Sequence, residues 1–176
     1  MNHADLRGHF QSERYFRHIR DQIRALYSEP RDIGLELDAY CRLHGLNEFD
    51  ALHVRFYSQP PNDPGPMGLL PMSYFSRSVA LLGRDRPVVI ATDDIGLPKD
   101  LHILRFENPL LDFYMLSRAR RIAISNSSFS WWAAYLGENE QIIAPDRHFW
   151  FNATARVNPL KDTSDLYPEH FDELIL

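Results

Sequence analysis

The sequence predicts an α/β fold, a Rossmann-like parallel sheet with helices on both faces. Short apolar runs bounded by turn residues alternate with longer segments of helical periodicity, which is the alternation that βαβ units require. The clearest unit lies at 121–136. There the run Ile122, Ala123, Ile124 breaks into four small polar residues, Ser125 to Ser128, and then into Phe129, Trp132, Ala133 and Leu136 at helical spacing. With 176 residues, 44% hydrophobic and 12% aromatic, the chain has the apolar surface for one α/β domain. Residues 1–46 read as a helical lead-in and 47–176 as the core.

Two helices are expected in the lead-in. Phe16, Ile19, Ile23, Leu26 and Tyr27 fall on one face before Pro30, and Ile33, Leu37, Tyr40 and Cys41 repeat the spacing up to a C-cap at Gly45. Residues 49–57 form the first core strand. Residues 58–71 hold five prolines and two glycines, which excludes regular structure and places a long loop at the strand's outgoing end, a functional lid or a plain excursion. Residues 72–82 read as a helix capped by Ser73 and stopped by Gly83, with Phe75, Val79 and Leu82 inward. Strands follow at 87–91 and 101–106. Asn108-Pro109 opens a helix running to Ala119, with proline at a favoured first-turn position, and Arg118, Arg120 and Arg121 complement its C-terminal dipole. A strand at 141–144 and an aromatic tail with His148, Trp150, Tyr167 and Phe171 close the chain.

The formal charge of −5 offers no general basic field for nucleic acid or anionic membranes. Only Lys99 and Lys161 are lysines; every other basic residue is the bidentate arginine, a bias that genomic base composition also produces. The single Cys41 excludes an internal disulfide and fits a reducing compartment. With no leader and no run long enough for a membrane span, a soluble cytoplasmic protein is expected. Neither the eight histidines nor the cysteine fall at metal-ligand spacing, so no metal site is expected. Walker, Gly-x-Gly-x-x-Gly and Gly-x-Ser-x-Gly motifs are absent.

In such sheets ligands gather at the carboxyl ends of strands. His53 and Arg55, two apart in the first strand, share a face with Arg55 nearer that end. A buried arginine there needs a protein carboxylate or a ligand phosphate. Asp93 and Asp94 follow the second strand and suit either a ribose or base contact or an ordinary turn. Asp112 sits one turn into its helix, where it favours the dipole. At the 125–128 turn, Ser and Asn side chains can cap the next helix, and its first-turn N–H groups form an anion site; a capped βα corner with core aromatics is the plainer alternative.

The run Ser125-Asn126-Ser127-Ser128-Phe129-Ser130-Trp131-Trp132-Ala133-Ala134-Tyr135-Leu136 resembles the signature of the α-1,2-fucosyltransferases, glycosyltransferase family 11. The similarity extends to Asp112 with Met115 and Ser117, to Ile142-Ile143-Ala144-Pro145 and to Asp165-Leu166-Tyr167-Pro168-Glu169. Gly8 to Phe16 resembles the family's Gly-Tyr-Phe-Gln-Ser segment, His53-Val54-Arg55 its His-x-Arg motif, and Thr92-Asp93-Asp94 its Ser-Asp-Asp. The resemblance implies the donor-binding half of a GT-B-type glycosyltransferase. It further implies metal-independent, inverting transfer of fucose from GDP-fucose to a glycan hydroxyl, without a cofactor. By position, Arg55 would hold the diphosphate and stabilise it as leaving group. His53 and Asp112 would recognise guanine or ribose, with Asp93 beside them. Asn126, Ser127, Ser128 and the Phe129 backbone would hold phosphate.

Two departures accompany the resemblance. The family continues His-x-Arg-Arg-Gly-Asp, whereas this chain reads Phe56-Tyr57-Ser58 after Arg55. The matched segments also lack the family's N-terminal half, so the acceptor surface is expected from the Pro-rich loop, a second copy or another chain. A non-catalytic nucleotide-binding or interaction module and a transferase using a different sugar nucleotide are the alternatives.

Overall fold

The structure is a computed structural model that describes residues 10–55, 67–92, 102–104, 106, 108–152 and 161–175. Six strands, β1 (Asp50–Val54), β2 (Val88–Thr92), β3 (His102–Leu104), β4 (Arg121–Ala123), β5 (Gln141–Pro145) and β6 (Phe171–Leu174), form one sheet. Every pairing is parallel and the strand order is β3-β2-β1-β4-β5-β6. A parallel sheet must be covered on both faces. Helix α3 (Met72–Leu82) packs Tyr74, Phe75 and Leu82 against Leu52, Val54, Ile90, Ala123 and Ile143 on one face. Helices α2 (Arg31–His44), α4 (Pro109–Arg118) and α5 (Ser128–Leu136) cover the opposite face, against Ala51, Val89, Ile122, Ile124 and Ile142. Along a strand, successive side chains alternate between these two cores, which is why β1 is buried at every position. The predicted fold class is therefore the one observed.

Local signals hold where the chain supplies its own partner. Asn108 Oδ1 accepts from Leu110 N–H at 3.0 Å with Pro109 inside the first turn of α4, and Gly45 ends α2 at φ +67°, where a side chain would be strained. Where tertiary contacts decide, the expectations are corrected. Instead of one long amphipathic helix, the chain makes two 3-10 turns, Glu13–Tyr15 and Arg17–Ile19, and then α1 (Arg20–Leu26). Phe16 is buried and Ile23 packs against the core, but Ile19, Leu26 and Tyr27 are exposed. Helix α3 is capped by Pro71 without a side-chain bond, so Ser73 is an ordinary helical residue. Its inward stripe is Tyr74, Phe75, Ser78 and Leu82, with Val79 turned out, because the Tyr74 hydroxyl reaches the carbonyls of Ile124 and Ile143. Strand β6 arises from the expected aromatic tail, pinned to β5 by Arg147 on Glu173 and by Tyr167 Oη donating to Pro145 O at 2.8 Å.

The arginines at the end of α4 are clamps to distant segments rather than dipole partners. Arg118 holds Glu29 through two bonds of 2.7 and 2.6 Å and Asp38 at 2.8 Å, tying α4 to the lead-in. Arg120 pairs with Glu140 at the surface. Arg121 grips the fully buried Asp50 with its Nε, 3.0 and 3.1 Å from the two carboxylate oxygens, and bridges to Asp85 at 2.6 Å. This pairing locks the amino ends of β1 and β4 side by side. Arg121→Ala is expected to lower stability in urea unfolding by about 3 kcal/mol because it leaves the fully buried Asp50 carboxylate without its guanidinium. Arg120→Ala, which breaks an exposed pair, is expected to cost less than about 1 kcal/mol.

Candidate functional site

The strand order reverses between β1 and β4. The chain leaving β1 crosses through α3 on one face, whereas the chain leaving β4 crosses through α5 on the other. Nothing of either connection need cover the sheet's carboxyl edge at that point, and a crevice opens there. A cavity of about 610 Å³ occupies it, within the range of about 300–1,000 Å³ typical of small-molecule sites. His53 and Arg55 enter from β1, Ala91 and Thr92 from β2, Asp112 from α4, and Ser127, Ser128 and Phe129 from the start of α5.

Helix α5 begins without a side-chain bond from its N-cap residue. Its N-cap residue Ser127 is extended and buried, and its hydroxyl makes no cap bond, contrary to the expected side-chain capping. The first helical bond is Trp131 N–H to Ser127 O at 3.0 Å, so the N–H groups of Ser128, Phe129 and Ser130 precede it. Ser127, Ser128 and Phe129 line the cavity, so the positive end of the helix dipole lies beside it. Arg55 is exposed at the strand's exit rather than buried within the sheet, and it lines the same cavity as both serines. Lys161, from the C-terminal segment, lines it too, its ammonium 4.9 Å from the centroid of the Phe151 ring.

His53 is buried, and its Nδ1 lies 2.6 Å from Ser125 Oγ. Burial, reinforced by the Arg55 guanidinium, pushes its pKa down to about 3, so the imidazole is neutral at physiological pH. Its ring tilts against Phe129 with centroids 5.8 Å apart, and Phe129 meets Phe113 of α4 edge to face at 5.4 Å. Asp112 behaves in the opposite sense. Burial raises its carboxyl to about 6 although the Phe106 backbone N–H favours the ionised form, and Oδ1 is buried with no hydrogen-bond partner among the described residues. Gln11 also lines this cavity, and its Nε2 is likewise buried without a hydrogen-bond partner among the described residues.

Asn126 does not line the cavity. It is buried behind it, and its Nδ2 donates to Gly68 O at 2.6 Å and Phe149 O at 3.0 Å. These bonds join the 67–68 and 149–151 segments, which form an antiparallel bridge between Met67 and Phe151 and supply the wall of Met67, Trp150 and Phe151. The two segments approach so closely at Gly68 that a Cβ there would lie 2.1 Å from Phe149 O, so only glycine fits. Asp93, Asp94 and the 58–66 part of the Pro-rich loop lie outside the described residues. A second cavity of about 610 Å³, walled by aromatic and aliphatic side chains including Phe10, Tyr114 and Trp132, adjoins the first at Ser128 and Phe129.

The chain is similar to the O-antigen biosynthesis glycosyltransferase WbnK of Escherichia coli, at 23% identity over 116 residues. The matched part is 57% of this chain and 38% of that protein, so the chain spans well under half of its relative's length. No family model matches the chain. A glycosyltransferase relative accords with a switch-point cavity walled by cations and a helix N-terminus, the features that suit a sugar nucleotide's phosphates.

Sequence reasoning brought His53, Arg55, Asp112, Ser127, Ser128 and Phe129 to one cavity, and it missed Lys161, Gln11, Met67, Trp150 and Phe151. Of these, Lys161 carried a sequence signal as one of two lysines in an arginine-rich chain, Gln11 as part of the Gly8–Phe16 resemblance, and Trp150 as part of the aromatic tail. Among the described residues no three His, Cys, Asp or Glu side chains gather as a metal site, and no helix is long and apolar enough to cross a membrane.

The raised carboxyl of Asp112 has a definite sign in stability. The folded protein keeps this proton to higher pH than the unfolded chain does, so the group's contribution is greatest below about pH 4 and declines as pH rises through about 6. Asp112→Asn is expected to gain stability relative to the native chain between pH ~4 and neutral pH. The expected gain is about 1 kcal/mol, less than the full shift implies because the group is partly solvated. Urea unfolding at the two pH values measures it; an equal difference at both would contradict the desolvated carboxyl.

Proposed function

We propose that this chain forms the donor-binding part of a glycosyltransferase that takes fucose from GDP-fucose to a hydroxyl of a glycan. The observation that carries the reading is the meeting of Arg55, Lys161 and the open N-terminus of α5 at one switch-point cavity. Two cations and a dipole end lining one cavity suit a diphosphate, and the fucosyltransferase resemblance of Ser125 to Leu136 and of His53-Val54-Arg55 narrows the donor. The O-antigen biosynthesis role of the Escherichia coli relative suggests an oligosaccharide acceptor. The aromatic cavity beside Phe129 offers ring faces on which a sugar can pack.

In the proposed reaction an acceptor oxygen attacks the anomeric carbon of fucose from the face opposite the nucleotide. The bond from that carbon to the diphosphate oxygen breaks with its electron pair on the oxygen, and the acceptor's proton passes to a base. Negative charge therefore grows on the diphosphate during the step. Arg55, Lys161 and the N–H groups of Ser128 and Phe129 meet it where it develops, without reorganisation. His53 is a neutral polar wall in this scheme, since its low pKa removes it as a cationic partner. No metal or cofactor enters the step.

Calorimetric titration with GDP in EDTA tests the reading. Micromolar to submillimolar binding is expected, with Arg55→Ala weaker by about tenfold or more and UDP far weaker than GDP. GDP release from GDP-fucose that depends on an added oligosaccharide would extend the result from binding to transfer. Phe56, standing where the resembled motif has a second arginine, favours the other outcome, a nucleotide-binding module without turnover. Failure to bind GDP at millimolar concentration would contradict both.

A further inference from the structure

We propose that the aromatic cavity beside the switch point holds a hydrocarbon tail, the apolar end of an amphiphilic acceptor whose sugar lies at Phe129. The inference rests on the glycosyltransferase reading above. Leu110 and Phe113 of α4 and Phe129, Trp132 and Leu136 of α5 line this cavity, which has a volume of about 610 Å³. Its polar side chains are Ser128, Tyr27 and Tyr114, and among the described residues no charged or amide side chain lines it. The Tyr114 hydroxyl is already engaged, 3.1 and 3.3 Å from the carbonyl oxygens of Tyr27 and Ser28. A sugar buried deep in such a cavity would leave most of its hydroxyls without partners, a penalty that hydrocarbon does not meet.

The cavity adjoins the donor site through one side chain. The Phe129 ring lies 5.8 Å from His53 of the donor cavity and meets Phe113 of the aromatic cavity edge to face at 5.4 Å, while Ser128 lines both. A molecule seated across this partition places a hydroxyl-bearing end in the first cavity and an apolar end in the second. Leu110 and Tyr27 line the second cavity yet remain 48% and 53% exposed, so its rim is apolar surface in contact with water. A chain of methylenes removes that contact without a directional bond. Phe10 joins the same wall at φ +49°, a left-handed backbone costly for an aromatic residue, and meets Tyr15 edge to face at 5.9 Å.

The test titrates the isotope-labelled chain with octyl β-glucoside below micelle formation, against methyl β-glucoside, and follows the side-chain signals of Leu110, Trp132 and Leu136. Octyl glucoside is expected to shift these signals saturably where methyl glucoside does not, with affinity rising about two- to fourfold per methylene from hexyl to octyl. Leu110→Glu and Tyr27→Lys change half-exposed rim positions, and thermal unfolding confirms that each variant is folded. Each is expected to weaken octyl glucoside about fivefold or more while leaving GDP affinity unchanged. Equal responses to the methyl and octyl glucosides would overturn the proposal by making the cavity a sugar subsite, and so would octyl glucoside shifts that are absent or lie elsewhere. A native dimer that Leu110→Glu dissociates would also overturn it, by giving the cavity to a second copy of the chain. A native chain that binds octyl glucoside at these residues but not GDP would support the apolar cavity while defeating the nucleotide reading, an outcome distinct from the others.

Discussion

Everything at the site depends on one topological constraint: neighbouring parallel strands β1 and β4 send their chains to opposite faces of the sheet. A parallel strand cannot turn back on itself, so each must leave through a crossover, and where successive crossovers diverge the carboxyl edge is left open. The Asp50–Arg121 pair fastens the amino ends of these two strands, which sets the spacing of the residues that emerge at the other end. Arg55 leaves β1 and the Ser125–Ser128 turn leaves β4 into the same opening. The packing below and the chemistry above are thus two ends of the same pair of strands.

The turn after β4 divides its labour between neighbouring residues. Ser125 turns back to His53, Asn126 reaches sideways to hold the Gly68 and Phe149 carbonyls, and Ser127 and Ser128 face the cavity. Because the turn's structural bonds are made by Ser125 and Asn126, the Ser127 hydroxyl is left without a capping role and makes no bond to the first N–H groups of α5. A helix end in this state retains its attraction for an anion. The aromatic run behind it anchors the helix: Trp131 Nε1 donates to Leu166 O at 2.8 Å, and its ring stacks on Tyr135. A rigid helix start is what allows backbone N–H groups to be aimed rather than merely present.

How far the sequence could be read follows the range of the forces involved. Gly45 and the Asn108-Pro109 start of α4 were legible because a cap is made within a few residues. The alternation of apolar runs disclosed five strands and the face shared by His53 and Arg55 for the same reason. The phase of α3 was not legible, since the Tyr74 hydroxyl chooses it by bonding to carbonyls of β4's exit and β5. Strand β6 escaped because its edge position leaves Asp172 exposed and Glu173 engaged by Arg147, so its four residues lack a buried strand's apolar run. Arg118 and Arg121 looked like dipole partners because Glu29 and Asp50 lie 89 and 71 residues away. At the site, residues on strand ends could be assigned from topology alone, whereas Gln11 and Lys161 come from outside the alternating units and only folding brings them in.

The most direct measurement of the central claim is amide chemical-shift mapping of the labelled chain on titration with GDP. If the diphosphate sits on the open helix end, the amides of Ser128, Phe129 and Ser130 shift first and furthest, those of the α3 face stay still, and the same GDP concentration saturates all of them. Shifts confined to other surfaces, with the start of α5 unmoved, would contradict the switch-point site.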